Sequence, residues 1–141
     1  MTQEPTISLT AMRNDGSRIR VDIQILNDHP AEILATLPNR SDTVSGIDFF
    51  DCLLKLRSNL ESDNYLLCCQ GARRDSTPSG MTRQMSNGRL VYALRSGMPT
   101  SEDDLVDIFA PAPCDEVTTI DDQKARSLKF MRENWTKKGP T

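Results

Sequence analysis

The chain has 141 residues and a formal net charge of −3, with 37% hydrophobic and 26% charged residues. This length is typical of one domain, and the composition is polar without being that of a disordered chain. No apolar run reaches the roughly 18 residues of a membrane-spanning helix, and the first residues lack a signal-peptide pattern, so we expect a cytoplasmic protein with no membrane partner. We predict one α+β domain over residues 1–138 and a frayed tail at 139–141. Its antiparallel-rich sheet starts with a hairpin and is packed by two main helices and one short helix.

A β-hairpin is the first predicted element. Apolar residues alternate with polar ones at 7–11 and again at 19–25, and the turn sequence Asn14-Asp15-Gly16-Ser17 lies between the two runs. Alternation around an Asp-Gly turn is the strongest short-range signal of a hairpin. Polar side chains occupy the alternate positions, so we expect one face of the hairpin to be exposed.

The next segment is predicted to be irregular. Ile33, Leu34 and Leu37 have the spacing of a short helical turn that ends before Pro38. Residues 39–45 are polar and are predicted to form a loop.

Residues 46–59 form the best predicted helix in the N-terminal half. Four large apolar residues recur at intervals of three and four, which places them on one side of a helix. They are Phe49, Leu53, Leu56 and Leu60. We expect this stripe to lie in the core and the helix to cover one face of the sheet.

Two apolar strands, Tyr65–Cys69 and Leu90–Leu94, frame a loop rich in arginine and glycine. Strands this apolar are usually central in a sheet. Loops between such strands commonly carry functional surfaces. The rest of the chain is therefore expected to pack around this pair.

The loop itself contains two turn sequences, at 78–81 and 86–89, in which proline and glycine favour defined turn geometry. We therefore predict an ordered loop. Met81 and Met85 lie between these turns, and two interpretations stay open: the methionines either fold onto the core or form an adaptable binding surface.

Two further helices are predicted in the C-terminal third. Thr100 or Ser101 has the position of an N-cap for a short helix that ends at Phe109, before a proline-rich turn. A last helix begins near Thr118 or Thr119, and Asp121 and Asp122 in its first turn suit the positive end of the helix dipole. Its apolar positions are Ala125, Leu128, Met131 and Trp135.

The four cysteines do not have the pattern of a disulfide framework. Cys68 and Cys69 are adjacent in a predicted strand, so their side chains point to opposite faces. Together with Cys52 and Cys114, they are interpreted as small buried hydrophobic residues. His29 is the one histidine and no C-x-x-C pair occurs, so we predict no metal site and no cofactor.

Catalytic motifs are not recognisable in the sequence. It contains no nucleophile elbow, no Walker loop, no zinc-protease motif and no dinucleotide-binding fingerprint. The one polar cluster that suggests chemistry is Arg73, Arg74 and Asp75. We therefore predict a non-catalytic protein.

Charge is strongly segregated along the chain. Residues 71–95 hold five arginines against Asp75, whereas residues 96–122 hold eight acidic residues and no basic one. Such segments either pair with each other in the fold or steer a charged partner. The candidate partner-binding residues are Arg73, Arg74, Arg83 and Arg89 in the basic segment and Glu102, Asp103, Asp104 and Asp107 in the acidic one. Nucleic acid is an unlikely partner because the chain is acidic and only 5% aromatic.

The same region resembles a family of small bacterial immunity proteins of polymorphic-toxin, or effector–immunity, systems. The resemblance covers about residues 65–135. It rests on Gly71-Ala72-Arg73-Arg74, Pro78-Ser79-Gly80-Met81, Met85, Asn87-Gly88-Arg89, Tyr92-Ala93-Leu94 and Asp104-Leu105-Val106-Asp107-Ile108-Phe109. It implies a cytosolic protein that binds a cognate toxin and occludes its active site. The N-terminal hairpin has no counterpart in this resemblance.

Two functional hypotheses follow. The first is an immunity protein, in which the acidic segment suits a basic nuclease toxin because carboxylates can occupy phosphate-binding positions. The alternative is a small regulatory module that binds nucleotide or nucleic acid through the arginine-rich loop.

Overall fold

The structure, a computed structural model, describes residues 5–93 and 102–138. Within them it is an α+β fold, as predicted. The strands are β1 (Ile7–Met12), β2 (Arg18–Asp28), β3 (Ala31–Thr36), β4 (Ser41–Gly46), β5 (Leu66–Cys68), β6 (Ser76–Thr77), β7 (Leu90–Ala93) and β8 (Leu105–Asp107), and the helices are α1 (Phe49–Ser62), α2 (Gly80–Ser86) and α3 (Ile120–Lys138). None of these helices is long and apolar enough to cross a membrane.

The first sheet is antiparallel and has the strand order β4-β3-β2-β1-β5. The predicted hairpin is confirmed as the β1–β2 pair, with Ile7 opposite Ile23 and Met12 opposite Arg18. Gly16 has a φ of +86° in the turn, a left-handed conformation that glycine adopts at little cost. Because β1 also pairs with β5, the hairpin joins the N-terminal strands to the one that precedes the arginine-rich loop.

Both predictions for residues 30–45 are wrong. The expected helical turn is strand β3, and most of the expected loop is strand β4. In β3, Ala31, Ile33 and Ala35 are buried and alternate with half-buried residues, a period of two. β4 is polar because it is an edge strand with only Val44 in the core, so its pairing with β3 determines its conformation.

Helix α1 covers the buried face of this sheet, as predicted. It begins later than expected because Asp48 is its N-cap, whose carboxylate accepts a hydrogen bond from the Asp51 N–H at 2.8 Å. The predicted apolar stripe is confirmed, and all four of its members are buried: Phe49, Leu53, Leu56 and Leu60.

The second sheet has the strand order β6-β7-β8. The prediction of a short helix that ends at Phe109 is wrong, because residues 102–104 form one 3-10 turn and β8 follows directly. Val106 of β8 lies opposite Val91 of β7, so cross-strand pairing overrides the helix-like spacing of the apolar residues. Phe109 itself is buried in the shared core.

The prediction that both apolar strands around the loop are central is confirmed for β7 and wrong for β5. β7 is central in the second sheet, whereas β5 is short and lies at the edge of the first. The segment after Phe109 covers part of this edge. Cys69 forms an isolated bridge with Pro111, and the Ala112 N–H donates to the Cys68 carbonyl at 3.2 Å.

Cys68 and Cys114 form a disulfide, which corrects the prediction of four unpaired cysteines. Their Cα atoms are 4.9 Å apart although the residues are separated by 46 positions. The covering segment at Pro111 and Ala112 brings Cys114 to β5, a contact that sequence spacing does not show. Cys52 and Cys69 are free and buried, as predicted, and burial raises the pKa of each thiol to about 11.

Helix α3 begins at Ile120, close to the predicted start, and Asp121 and Asp122 lie in its first turn. The Thr119 hydroxyl accepts a hydrogen bond from the Asp122 N–H at 3.2 Å, as expected of a cap. The predicted end of β7 at Leu94, the predicted cap at Thr100 or Ser101 and the tail at 139–141 lie outside the described residues.

A polar cluster docks the start of α3 onto the rest of the fold. Gln123 is buried, and its Nε2 donates to the carbonyl oxygens of Gly71 and Arg73, each at 2.8 Å. Its Oε1 accepts a 2.6 Å hydrogen bond from Nη1 of Arg57, a guanidinium that is 1% exposed. Burial lowers the pKa of Arg57, and Glu61 lies 3.5 Å from its Nε.

Candidate functional site

Arg73 and Arg74 both bond to acceptors within the chain. Arg73 donates to the Gln70 side chain at 2.9 Å and to the Asp75 carboxylate at 2.8 Å. Arg74 donates to the Asp115 carbonyl at 2.6 Å. These two predicted site residues therefore hold neighbouring parts of the loop together.

Arg83 connects α2 to the start of α1. Its Nε and Nη2 donate to the two carboxylate oxygens of Asp48 at 2.8 and 3.0 Å, a bidentate pair that fixes the orientation of the guanidinium. The guanidinium carbon also lies 5.0 Å from the centre of the Phe50 ring. Burial acts to raise the pKa of Asp48, but the bonds from Arg83 and from the Asp51 N–H outweigh it and lower the pKa.

Arg89 pairs the basic segment with the acidic one. It donates to Asp107 at 2.8 Å, and its guanidinium carbon lies about equally far from the rings of Phe49 and Phe109, at 5.5 and 5.4 Å. The Asp107 carboxylate also accepts from the Phe109 N–H at 2.9 Å. One contact of the predicted internal pairing between the two segments is thus present.

The acidic candidates are divided by the fold. Asp103 is exposed, Asp104 is only 8% exposed, and Asp107 is paired as described above. The side chain of Glu102 lies outside the described part of the chain. Of the acidic candidates whose side chains are described, Asp103 is therefore the most accessible to a partner.

Helix α2 stands where the sequence predicted two turns. Ser79 is its N-cap and accepts a hydrogen bond from the Thr82 N–H at 3.0 Å. Asn87 ends it in the left-handed region, and Gly88 follows with a φ of +79°. A Cβ at Gly88 would lie 2.6 Å from the Phe50 nitrogen, so the close approach of α2 to α1 requires glycine here. Ser79 before and Asn87-Gly88 after the segment were the sequence signals for this helix.

Met81 and Met85 form an exposed face on α2, and we call this pair the methionine face. The two side chains are 73% and 82% exposed. Their spacing of four residues places them on the same side of the helix, whereas Arg83 between them points to α1. The alternative in which these methionines fold onto the core is therefore wrong, and they are available to a partner.

Ile47 adds a third exposed apolar side chain near this junction. It is 82% exposed and directly precedes Asp48, the residue that holds Arg83. The Phe49 N–H also donates to the Asn87 carbonyl at 2.9 Å, which ties the start of α1 to the end of α2. The sequence prediction left a binding role of Met81 and Met85 open and did not consider Ile47, because alternation and charge alone do not show which apolar side chains stay exposed.

No cluster of three or more His, Cys, Asp or Glu side chains in residues 5–93 and 102–138 is arranged to hold a metal ion. Comparison with models of known protein families and with curated protein sequences found no match.

Proposed function

We propose that this protein is a binding protein and, most concretely, an immunity protein that neutralises a cognate bacterial toxin in the cytoplasm by occluding its active site. The observation that carries the proposal is the methionine face. Exposed apolar side chains grouped on one ordered element are typical of protein–protein contact sites. Methionine is also enriched in the cores of such interfaces because its side chain adapts to a partner.

The face is held in place before any partner binds. Ser79 and Asn87 cap the two ends of α2, and the bidentate pair of Arg83 with Asp48 attaches its middle to α1. A surface that is already ordered loses less conformational entropy on association. These contacts support tight binding by α2 as one unit.

The charged candidates take smaller roles in this proposal. Arg73, Arg74, Arg83 and Arg89 each have an acceptor within the chain, so a phosphate or an acidic partner would have to compete with those bonds. Asp103 is exposed and suits a contact with a basic toxin. Exposed charges of this kind chiefly affect the rate of association.

The proposal predicts that a toxin is encoded beside this gene, and co-expression of the two proteins tests it. The unmodified chain should protect cells, and the double substitution Met81→Glu with Met85→Glu should abolish protection. Removing two buried contacts and adding two desolvated charges should weaken binding at least 100-fold, since each 1.4 kcal/mol changes the affinity about tenfold. Isothermal titration calorimetry with the purified toxin domain measures this loss.

A matched control places the same charges elsewhere. Ser58→Glu with Ser62→Glu adds two acidic residues at the same spacing on the exposed side of α1. This variant should protect cells as the unmodified chain does. Equal binding by both double variants, or a neighbouring gene with no toxin that the chain neutralises, would contradict the proposal.

A further inference from the structure

A groove lies on the other side of α2 from the methionine face, between α1 and α3. It has a volume of about 370 Å³, at the lower end of the roughly 300–1,000 Å³ typical of small-molecule sites. Most of its lining is apolar. The apolar residues are Phe50 and Leu54 from α1, Pro78 before α2, and Ile120 and Leu128 from α3.

Hydrogen bonds between the elements hold the walls of the groove in place. Gln123 at its base is buried and bonded to Arg57 and to the Gly71 and Arg73 carbonyls. Higher on the same wall, the Ser127 hydroxyl donates to the Thr77 hydroxyl at 2.9 Å. These polar groups of the walls are therefore already hydrogen-bonded within the protein. The apolar surface of the groove is accessible to solvent at Leu128, which is 55% exposed.

The charge at the mouth of the groove is positive. The described residues that line it include two cations, Arg83 and Lys124, and no acidic side chain. Arg83 uses Nε and Nη2 for Asp48, and its Nη1 bonds to no residue in the described part of the chain. Lys124 is exposed and makes no ion pair with a described residue. Because Asp48 already offsets the charge of Arg83, the groove carries about one uncompensated positive charge.

We propose that this groove binds a small amphipathic carboxylate. An acyl chain or a ring would pack against Phe50, Leu54 and Leu128, and the carboxylate would lie at the mouth between Arg83 Nη1 and Lys124. A monoanion matches the single uncompensated charge, and an apolar body matches the apolar side chains of the walls. The groove and the methionine face lie on opposite sides of α2, so the inference goes beyond the proposed toxin binding and does not depend on it.

The test uses octanoate and its uncharged analogue 1-octanol. Both are titrated into isotope-labelled protein, and the amide signals are followed by two-dimensional NMR. Octanoate should shift the signals of Leu54, Ile120 and Leu128 in a saturable way, and it should bind at least threefold more tightly than 1-octanol. Lys124→Gln should weaken octanoate about threefold to fivefold and leave 1-octanol unchanged.

Lys129→Gln is the matched control, because it removes an exposed lysine of the same helix that does not line the groove. It should leave both affinities unchanged. Leu128→Asp should weaken the binding of both ligands, because it places a charge in the apolar wall of the groove. Leu128 is 55% exposed, so this substitution should leave the chain folded. Equal affinity for the two ligands, an effect of Lys129→Gln equal to that of Lys124→Gln, or shifts confined to Met81 and Met85 would overturn the proposal.

Discussion

Arg83 and Arg89 act through partners that only folding brings to them. Asp48 lies 35 residues from Arg83, and Asp107 lies 18 residues from Arg89. The sequence showed a basic segment and an acidic one, and it left open whether they pair. In the fold, Arg89 pairs with Asp107 of the acidic segment and Arg83 pairs with Asp48, the N-cap of α1. Arg89 therefore links the start of β7 to β8, and Arg83 links α2 to α1.

At this residue scale we predict that Asp48→Asn destabilises the protein by about 1–2 kcal/mol at pH 7, the range for a charge-assisted hydrogen bond in a half-buried site. Asparagine keeps the ability to cap α1, so the loss reports the ion pair with Arg83. The pKa of Asp48 in the folded state lies below its ordinary value of 3.8, so the stabilisation is present above that pH and is lost as the pH falls through the folded value. Urea unfolding at pH 7 and at pH 3 measures the difference.

Asp22→Asn is the control for this prediction. Asp22 pairs with Arg20 at 2.8 Å on the open face of the sheet, where the arginine side chain is 71% exposed. An exposed pair of this kind contributes little to stability because water and salt screen it. If both variants lost the same stability at pH 7, the Asp48–Arg83 pair would have no special role in attaching α2.

At the scale of elements, residues 111–116 cover the edge of β5. Their backbone accepts hydrogen bonds from Gln70 at 3.0 Å and from Arg74 at 2.6 Å, and the Cys68–Cys114 disulfide adds a covalent link. In a reducing cytoplasm thiols are kept reduced, so there the attachment of residues 111–116 to β5 would depend on the hydrogen bonds alone. The disulfide is therefore expected to add stability without being required for the fold.

We predict that Cys114→Ser lowers the free energy of unfolding by about 3–4 kcal/mol under oxidising conditions. The reason is that the disulfide closes a loop with a sequence separation of 46 residues, and its loss restores conformational entropy to the unfolded chain. Chemical unfolding with and without dithiothreitol measures the effect. Reductant should destabilise the unmodified protein by a similar amount and leave the variant unchanged; a reductant-insensitive unmodified protein would contradict the prediction.

At the scale of the whole molecule, the first turns of α3 dock onto other parts of the chain. Gln123 bonds to Arg57 of α1 and to the backbone of the loop after β5, so one side chain links three parts of the chain. Arg57 is 1% exposed, and a buried charge of this kind is costly unless it is bonded. The groove between α1 and α3 exists because these polar contacts set the position of α3.

We therefore predict that Gln123→Ala destabilises the whole fold by about 2–4 kcal/mol, because it removes the hydrogen-bond partner of the Gly71 carbonyl and of Nη1 of Arg57, both in a buried site. Lys129→Ala, on the exposed side of the same helix, should change the stability by less than about 0.5 kcal/mol. Urea unfolding followed by circular dichroism measures both. A small effect of Gln123→Ala would show that α3 is held by other contacts.

The correct and incorrect predictions follow from how far apart the interacting residues are. The hairpin at Gly16, the stripe of α1 and the start of α3 depend on neighbours in sequence, and all three are confirmed. β3, β4 and β8 were missed because their conformation comes from pairing with other strands. Their composition is mixed or polar, and only the ladder satisfies their backbone groups.

The sequence by itself determined the α+β class, the hairpin, the main helices and the segregation of charge, because local periodicity and turn chemistry specify these. Tertiary structure alone decided that Cys68 meets Cys114, that Arg83 is bound by Asp48, and that Met81 and Met85 stay exposed. The physical reason is that covalent pairing, ion pairing and burial depend on contacts between residues far apart in the chain. The candidate binding face is defined by which apolar side chains those contacts leave uncovered.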